Sequence, residues 1–133
     1  MKLTTKSEYS ILALIYIARH GKGGFIKIRD ICSKYDIPQK YLEQLLSTLK
    51  QNRYLKTKRG AIGGYKLAMP AAKINVAQII RTMDGALAPT ESVSKYFYSP
   101  TPLEQEKKMI IVLKEIRDYI SDRLENLKLS DLI

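Results

Sequence analysis

Four cations and three glycines lie close together between residues 56 and 66. The cations are Lys56, Lys58, Arg59 and Lys66, and the glycines are Gly60, Gly63 and Gly64. Lysine ammonium groups bind phosphate oxygens without reading sequence, and an arginine can enter a narrow minor groove of DNA, where the negative potential is enhanced. Lysines also protect exposed strand edges, but the glycines let the backbone approach another molecule. The segment therefore favours binding to a nucleic acid.

A second group of polar residues opens a segment with helical periodicity. Its apolar stripe is Leu42, Leu45, Leu46 and Leu49, and the opposite side carries Gln39, Lys40, Tyr41, Glu43 and Gln44. Glutamine can pair with adenine through two hydrogen bonds, and glutamate can accept one from the cytosine amino group. Every amphipathic helix has a polar face, so this pattern gains its meaning from the basic glycine segment that follows it.

The sequence contains no pattern that predicts a catalytic site or a metal site. The single cysteine, Cys32, lies on an apolar helical stripe and is predicted to be a small core residue. There is one histidine, His20, and no nucleophile–base pair, metal-ligand set or phosphate loop stands out. We therefore expect no enzyme activity, no cofactor and no metal site. One cysteine is also consistent with the reducing cytoplasm.

The charge is unevenly distributed. The net charge of the 133 residues is +10, but residues 1–83 hold 16 Lys and Arg against 4 Asp and Glu, whereas residues 84–133 hold 7 against 9. Such a split predicts one part that binds a polyanion and one part with another task. A membrane surface is the second choice, because the cations are not concentrated opposite an apolar face on one helix.

The N-terminal half reads as three helices and a hairpin. The first helix is predicted to be capped at Thr5 by the sequence Thr5-Lys6-Ser7-Glu8 and to end at a left-handed Gly21. A second helix is expected from about Ile28 to Tyr35. Pro38 is then placed as the first residue of a third helix, which runs to about Gln51. The alternation at 54–58 and 65–67 predicts two strands.

The C-terminal half reads as a short helix, a loop and a long helix. Asn75 should cap the fourth helix, which ends at Asp84-Gly85. The loop 86–102 contains the aromatic segment Tyr96–Tyr98, which either covers a ligand pocket or anchors the loop. The last helix is expected over 103–128. Its apolar residues follow a near-heptad spacing that predicts a dimer seam, formed by Met109, Leu113, Ile116, Ile120, Leu124 and Leu127.

These elements predict an α+β, mainly α fold: a winged helix-turn-helix with a two-stranded wing and a long C-terminal dimerisation helix. The expected division is a DNA-binding domain at 1–85, a loop at 86–102, and a dimerisation helix with its tail at 103–133.

Three stretches of sequence resemble one known family. They are residues 1–6 (MKLTTK), 41–45 (YLEQL) and 58–65 (KRGAIGGY), in the same order and spacing, with a closing LSDL at 129–132. They look like the Rrf family of winged-helix transcription regulators, which includes IscR, NsrR and CymR. The resemblance implies a homodimer on an imperfect palindrome, with Tyr41, Glu43 and Gln44 towards the major groove and Arg59 towards the minor groove.

One departure from the family pattern concerns iron. Cluster-binding members carry three cysteines in the loop before the last helix, whereas this loop has none and Ser92 stands about where the first would be. The chain is therefore closer to the cluster-free branch, in which the resemblance implies a regulatory protein partner.

We accordingly expect a cytoplasmic, homodimeric regulator that binds double-stranded DNA in a sequence-specific way and carries no iron–sulfur cluster. Repression is expected in preference to activation. The alternative is a protein-interaction module whose main partner is a metabolic enzyme or a paralogous subunit. A steep fall of DNA affinity with salt separates the two.

Overall fold

A computed structural model describes all 133 residues and contains five α-helices and one two-stranded antiparallel sheet. In chain order the elements are α1 (Thr5–His20), α2 (Ile28–Tyr35), α3 (Gln39–Gln51), β1 (Leu55–Lys58), β2 (Gly64–Leu67), α4 (Val76–Asp84) and α5 (Lys107–Glu125). This confirms the predicted mainly helical fold with a two-stranded hairpin. No helix combines the length and the apolar character that crossing a membrane requires.

Helix α1 lies at the centre of the molecule, and both of its ends differ from the prediction. Thr4, not Thr5, is the N-cap, and its hydroxyl accepts a hydrogen bond from the backbone N–H of Lys6 at 3.2 Å. Gly21 has a right-handed φ of −81°. A Cβ at Gly21 would lie only 2.5 Å from the carbonyl oxygen of Ile17, so close backbone approach, and not a left-handed turn, requires glycine there.

Helices α2 and α3 meet at a tight turn, as the helix-turn-helix pattern predicts. Asp36 takes the left-handed conformation there, with a φ of 54°. Pro38 has an extended ψ of 128° and is the N-cap of α3, whereas the sequence placed it inside the helix. Its carbonyl oxygen accepts the first helical hydrogen bond, from the N–H of Leu42 at 3.0 Å. The four leucines of α3 are buried in the main core, as predicted.

The C-terminal tail packs onto the N-terminal part of the chain. Leu129 is buried in the main core, and its N–H donates to the carbonyl oxygen of Ile74 at 2.8 Å. The N–H of Val76 donates to the carbonyl oxygen of Leu127 at 2.9 Å. The tail, predicted as part of the dimerisation segment, is thus held by the region around α4. The domain boundaries themselves stay a prediction.

The last helix is shorter than the predicted 103–128. Residues Pro102–Gln105 form a 3₁₀ turn before α5, and Leu129–Leu132 form another after it. The 19 residues of α5 span roughly 28 Å at about 1.5 Å per residue.

The predicted heptad seam on this helix is divided between two faces. Ile120, Leu124 and Leu127 pack against the core cluster around α4, and Leu113 is buried beneath the loop that precedes α5. Only Met109 and Ile116 remain exposed. The near-heptad spacing follows the border between an inward and an outward apolar face, so it does not describe one continuous surface.

Candidate nucleic-acid interface

The three lysines of the hairpin share one face. Lys56 and Lys66 are cross-strand partners, and Lys58 lies two residues from Lys56 on the same side of β1. The opposite face, with Leu55, packs on the main core. Like charges directly opposite each other in a sheet repel. A polyanion bound on the outer face of the hairpin would relieve that repulsion.

The glycines of the hairpin have different roles. Gly60, next to the exposed Arg59, has a φ of +104° and open space around it. Gly63 is buried, and a Cβ there would lie 2.0 Å from the carbonyl oxygen of Lys58. Gly64, with a φ of +144°, would place a Cβ 2.3 Å from the carbonyl oxygen of Ile26. Gly63 and Gly64 are therefore needed for packing of the hairpin, whereas Gly60 at the tip is favoured by its positive φ.

The polar face of α3 is open at its N-terminal end, where Gln39, Lys40, Glu43 and Gln44 are exposed. The amide of Gln39 donates to Glu43 Oε1 at 3.3 Å. Burial raises the pKa of the Tyr65 hydroxyl on β2, and the charge of Glu43 raises it further. Gln39 at the start of α3 and Ala61 at the tip of the hairpin line one cleft, so the two predicted recognition elements lie side by side.

Tyr41 differs from its neighbours, because it is half-buried. Its hydroxyl lies 3.1 Å from Thr5 Oγ1, and its ring meets the ring of Tyr9 edge-on, with centroids 5.8 Å apart. Tyr41 thus joins α3 to the start of α1 in addition to any contact with a ligand.

Cys32 has the environment of a structural residue. It packs against the main core from α2. Burial raises the pKa of its thiol, and the nearby charge of Glu43 raises it further. Both effects disfavour the reactive thiolate, which agrees with the interpretation of Cys32 as a small core residue.

Two cations of this surface were not singled out from the sequence. A cleft of about 430 Å³ separates the start of α3 from the tip of the hairpin and is lined by Lys27, Ile28, Arg29, Gln39 and Ala61. The available signal was a pair of basic residues at the start of a helix, Lys27 and Arg29. That signal gains meaning only when the hairpin is placed beside them.

A polar cluster around the Arg81 side chain connects α4, α5 and the aromatic loop. The side chain of Arg81 is only 10% exposed and lies 2.7 Å from Glu125 Oε1. The guanidinium also donates to Ser121 Oγ at 3.3 Å and stacks on the Tyr96 ring, 4.7 Å from its centroid. The hydrogen bond from Arg81 lowers the pKa of Glu125. This cluster fixes α4 and the aromatic loop relative to α5.

A second carboxylate fixes the start of the chain. The backbone N–H of Thr4 donates to Asp84 Oδ2 at 2.9 Å, and the Thr4 hydroxyl donates to Oδ1 of the same carboxylate. Burial by itself raises the pKa of Asp84, but the hydrogen bonds from Thr4 outweigh it and lower the pKa on balance. The start of α1 is thereby held against the end of α4.

Comparison with known proteins identifies the family. A family model described as "Rrf2: Iron-dependent Transcriptional regulator" matches residues 3–133. The chain is similar to the protein rrf2 of Nitratidesulfovibrio vulgaris, with 40% identity over 91 residues, which are 68% of this chain and 61% of that protein. It is also similar to the HTH-type transcriptional regulator IscR of Xenorhabdus nematophila, with 36% identity over 95 residues, which are 71% of this chain and 58% of that protein. The matches thus span about three fifths of the length of these curated relatives.

A solved structure extends the likeness over nearly the whole chain. CymR, the global cysteine regulator of B. subtilis, aligns with a TM-score of 0.79 and 30% identity, covering 99% of this chain and 95% of that one.

The iron in the family description raises the question of whether this chain has suitable ligands. Iron–sulfur clusters are held mainly by cysteine thiolates. The loop 86–102 contains no cysteine, and the buried hydroxyl of Ser92 there accepts a hydrogen bond from Thr101 Oγ1 at 2.9 Å. No group of three or more His, Cys, Asp or Glu side chains is placed to hold a metal ion. The residues present do not fit a cluster.

The helix-turn-helix with its basic hairpin, the family match over residues 3–133 and the likeness to CymR agree with one another. The chain belongs to the Rrf2 family of winged-helix transcriptional regulators, which are not enzymes.

Proposed function

We propose that this chain is a homodimeric transcription repressor that binds a palindromic DNA operator in the cytoplasm. The observation that carries the proposal is that the exposed start of α3 and the tip of the hairpin line one cleft, next to the lysine face of the hairpin and the exposed Arg59. In helix-turn-helix proteins the second helix of the motif reads base edges in the major groove. Binding across a promoter would exclude the polymerase.

In this proposal the side chains divide into two roles. Gln39, Gln44 and Glu43 read bases, while the hairpin lysines and Lys40 bind phosphates. A carboxylate close to DNA is repelled by the phosphates, which costs affinity. In this proposal Glu43 lies there because it discriminates among bases. Arg59 enters the minor groove in this proposal, and its exposure at the tip of the hairpin supports that role.

Homodimerisation is proposed through the outward face of α5. Met109, Val112, Ile116 and Tyr119 are spaced three, four and three residues apart, and each is between 43% and 72% exposed. Closed two-fold dimers are the commonest way to bury such a stripe. A two-fold axis between two DNA-binding units requires a palindromic site. This set revises the predicted seam, keeping Met109 and Ile116.

The test begins with selection of bound duplexes from a random pool, followed by titrations at several salt concentrations. We expect an inverted repeat and a steep fall of affinity with salt. Arg59→Ala should reduce the salt slope by about 1, while Lys114→Ala, which removes a charge from α5, should not. A flat salt dependence, or no enriched sequence, would refute the proposal.

Glu43→Ala separates base reading from simple attraction. It should keep or raise affinity for the best site while relaxing the preference at one or two base pairs, each worth roughly 1–3 kcal/mol. Competition among single-base operator variants at fixed salt measures this. An even loss of affinity across all variants would make Glu43 structural.

The alternative function, a module that mainly binds a regulatory protein, is favoured by one feature. Tyr96, Phe97 and Tyr98 are 68%, 46% and 56% exposed on the loop before α5. Tyr98→Ser should leave DNA affinity unchanged and weaken only association with such a partner.

A further inference from the structure

Lys27 connects the helix-turn-helix to the tip of the wing. Its ammonium group donates a hydrogen bond to the carbonyl oxygen of Gly60 at 3.0 Å, across the mouth of the cleft between α3 and the hairpin. We propose that Lys27 is a positioning residue that sets the distance between Arg59 and the recognition helix, and so determines which base pairs the two elements read together. The inference rests on the proposed DNA-binding function.

The tip of the hairpin has few other restraints. Residues 59–62 are all exposed, and Ile62 is 77% exposed. Within the turn, the N–H of Gly63 donates to the carbonyl oxygen of Gly60 at 3.0 Å. The same carbonyl therefore accepts both the turn's own hydrogen bond and the Lys27 ammonium. Lys27 supplies the side-chain hydrogen bond that joins this tip to the helical part of the molecule.

The second strand of the hairpin is attached separately, next to Lys27 in sequence. The N–H of Ile26 donates to the carbonyl oxygen of Tyr65 at 2.7 Å, and the N–H of Tyr65 donates to that of Ile26 at 2.8 Å. These bonds and the packing of Leu55 on the main core hold the strands, but neither reaches the exposed loop 59–62. A second attachment near the tip, from the next residue of the same segment, fixes its direction.

Lys27 occupies a position where another residue type would serve the helix better. It is the N-cap of α2 and makes no side-chain capping bond, although Ser, Thr, Asp and Asn are the residues that stabilise helices there. Its half-buried side chain reaches the wing instead. The side chain of Lys27 therefore holds the wing and does not stabilise α2.

Three variants separate positioning from charge. Lys27→Met removes the ammonium and keeps the length of the side chain, and Lys27→Arg keeps a positive donor. Lys34→Met is the matched control, because Lys34 is an exposed cation at the other end of the same helix.

The first measurement uses the free protein and does not depend on DNA. Hydrogen exchange of the Gly63 amide reports on the Gly60 carbonyl that Lys27 contacts. We expect exchange to accelerate about three- to tenfold in Lys27→Met, the effect of losing one intramolecular hydrogen bond, and to stay at the wild-type rate in Lys27→Arg and Lys34→Met. An unchanged Gly63 rate in Lys27→Met would overturn the proposal.

The second measurement compares operator variants at the base pairs nearest the wing. Lys27→Met should lose the sequence preference at the base pairs nearest the wing and keep the preferences set by α3. Lys27→Arg should show the wild-type preference at all of these base pairs. Adding Lys27→Met to Arg59→Ala should cost no further preference, because Lys27 acts through Arg59. If Lys27→Met instead loses affinity evenly, as removal of a charge would cause, the positioning role is wrong. If the wild-type protein shows no salt-dependent DNA binding, the proposed function fails, and the Gly63 exchange still decides whether Lys27 holds the tip.

Discussion

Replacing Ile116 with aspartate should dissociate the proposed dimer without unfolding the protomer. Ile116 is 43% exposed in the isolated chain. Because burying a whole isoleucine side chain gives about 1.5–3 kcal/mol, covering the remaining surface contributes roughly 1 kcal/mol per protomer, or about 2 kcal/mol for both copies. A carboxylate in the same apolar contact adds a desolvation cost of about 1–3 kcal/mol per copy.

The combined loss for both copies is therefore on the order of 4–8 kcal/mol. At about 1.4 kcal/mol for each tenfold change, the dissociation constant of the dimer should rise about a thousandfold or more. Sedimentation velocity over a dilution series from micromolar to nanomolar protein measures the shift, and circular dichroism shows whether the protomer stays folded.

Two further aspartate variants locate the interface. Ile111 is 58% exposed and lies five residues before Ile116, about 140° around the helix, so Ile111→Asp should leave the dimer intact. Ile120 packs against the core around α4, so Ile120→Asp should lower the urea midpoint of unfolding. A wild-type dimer in Ile116→Asp, or dissociation by Ile111→Asp alone, would refute the assigned face.

Three other properties follow from the structure. Arg81→Met should lower the free energy of unfolding by about 1–2 kcal/mol, because the partly exposed Glu125 carboxylate loses its charged hydrogen bond from Arg81; a urea titration showing a loss no larger than that of the exposed Arg53→Met would contradict this. The lowered pKa values of Asp84 and Glu125 contribute stability that is complete above the ordinary carboxyl range near pH 4 and is lost as pH falls through their folded-state values. The free energy of unfolding, measured between pH 6 and pH 2.5, should therefore depend less steeply on pH in Asp84→Asn than in the wild type. Equal slopes would show that the Thr4 contact does not contribute to stability. Protein prepared without oxygen and with ample iron should remain colourless, since the chain offers one cysteine and one histidine, and a stoichiometric brown chromophore with an iron content to match would disprove it.

The sequence alone determined the elements and their order. The strict leucine spacing of α3 fixed which of its faces is buried, so the exposed set around Glu43 followed from periodicity. The change to alternating residues after Tyr54 located the hairpin within one residue at each strand. Asn75 caps α4 as predicted, because a side-chain cap depends on residues only three positions apart. These are local properties, and local sequence was sufficient for them.

Tertiary structure decided every feature that depends on two distant segments. The apolar spacing of α5 could not show that Ile120 faces α4 while Ile116 faces outward, since both belong to one helical pattern and only packing separates them. Gly63 and Gly64 look like backbone exposed for a ligand, yet the Lys58 and Ile26 carbonyls occupy the space that a Cβ would need. The contact between Lys27 and Gly60 has no signature in sequence, because the two residues are 33 positions apart. Contacts of this kind arise only when the chain folds back, and so the residues that position the wing had to be found in three dimensions.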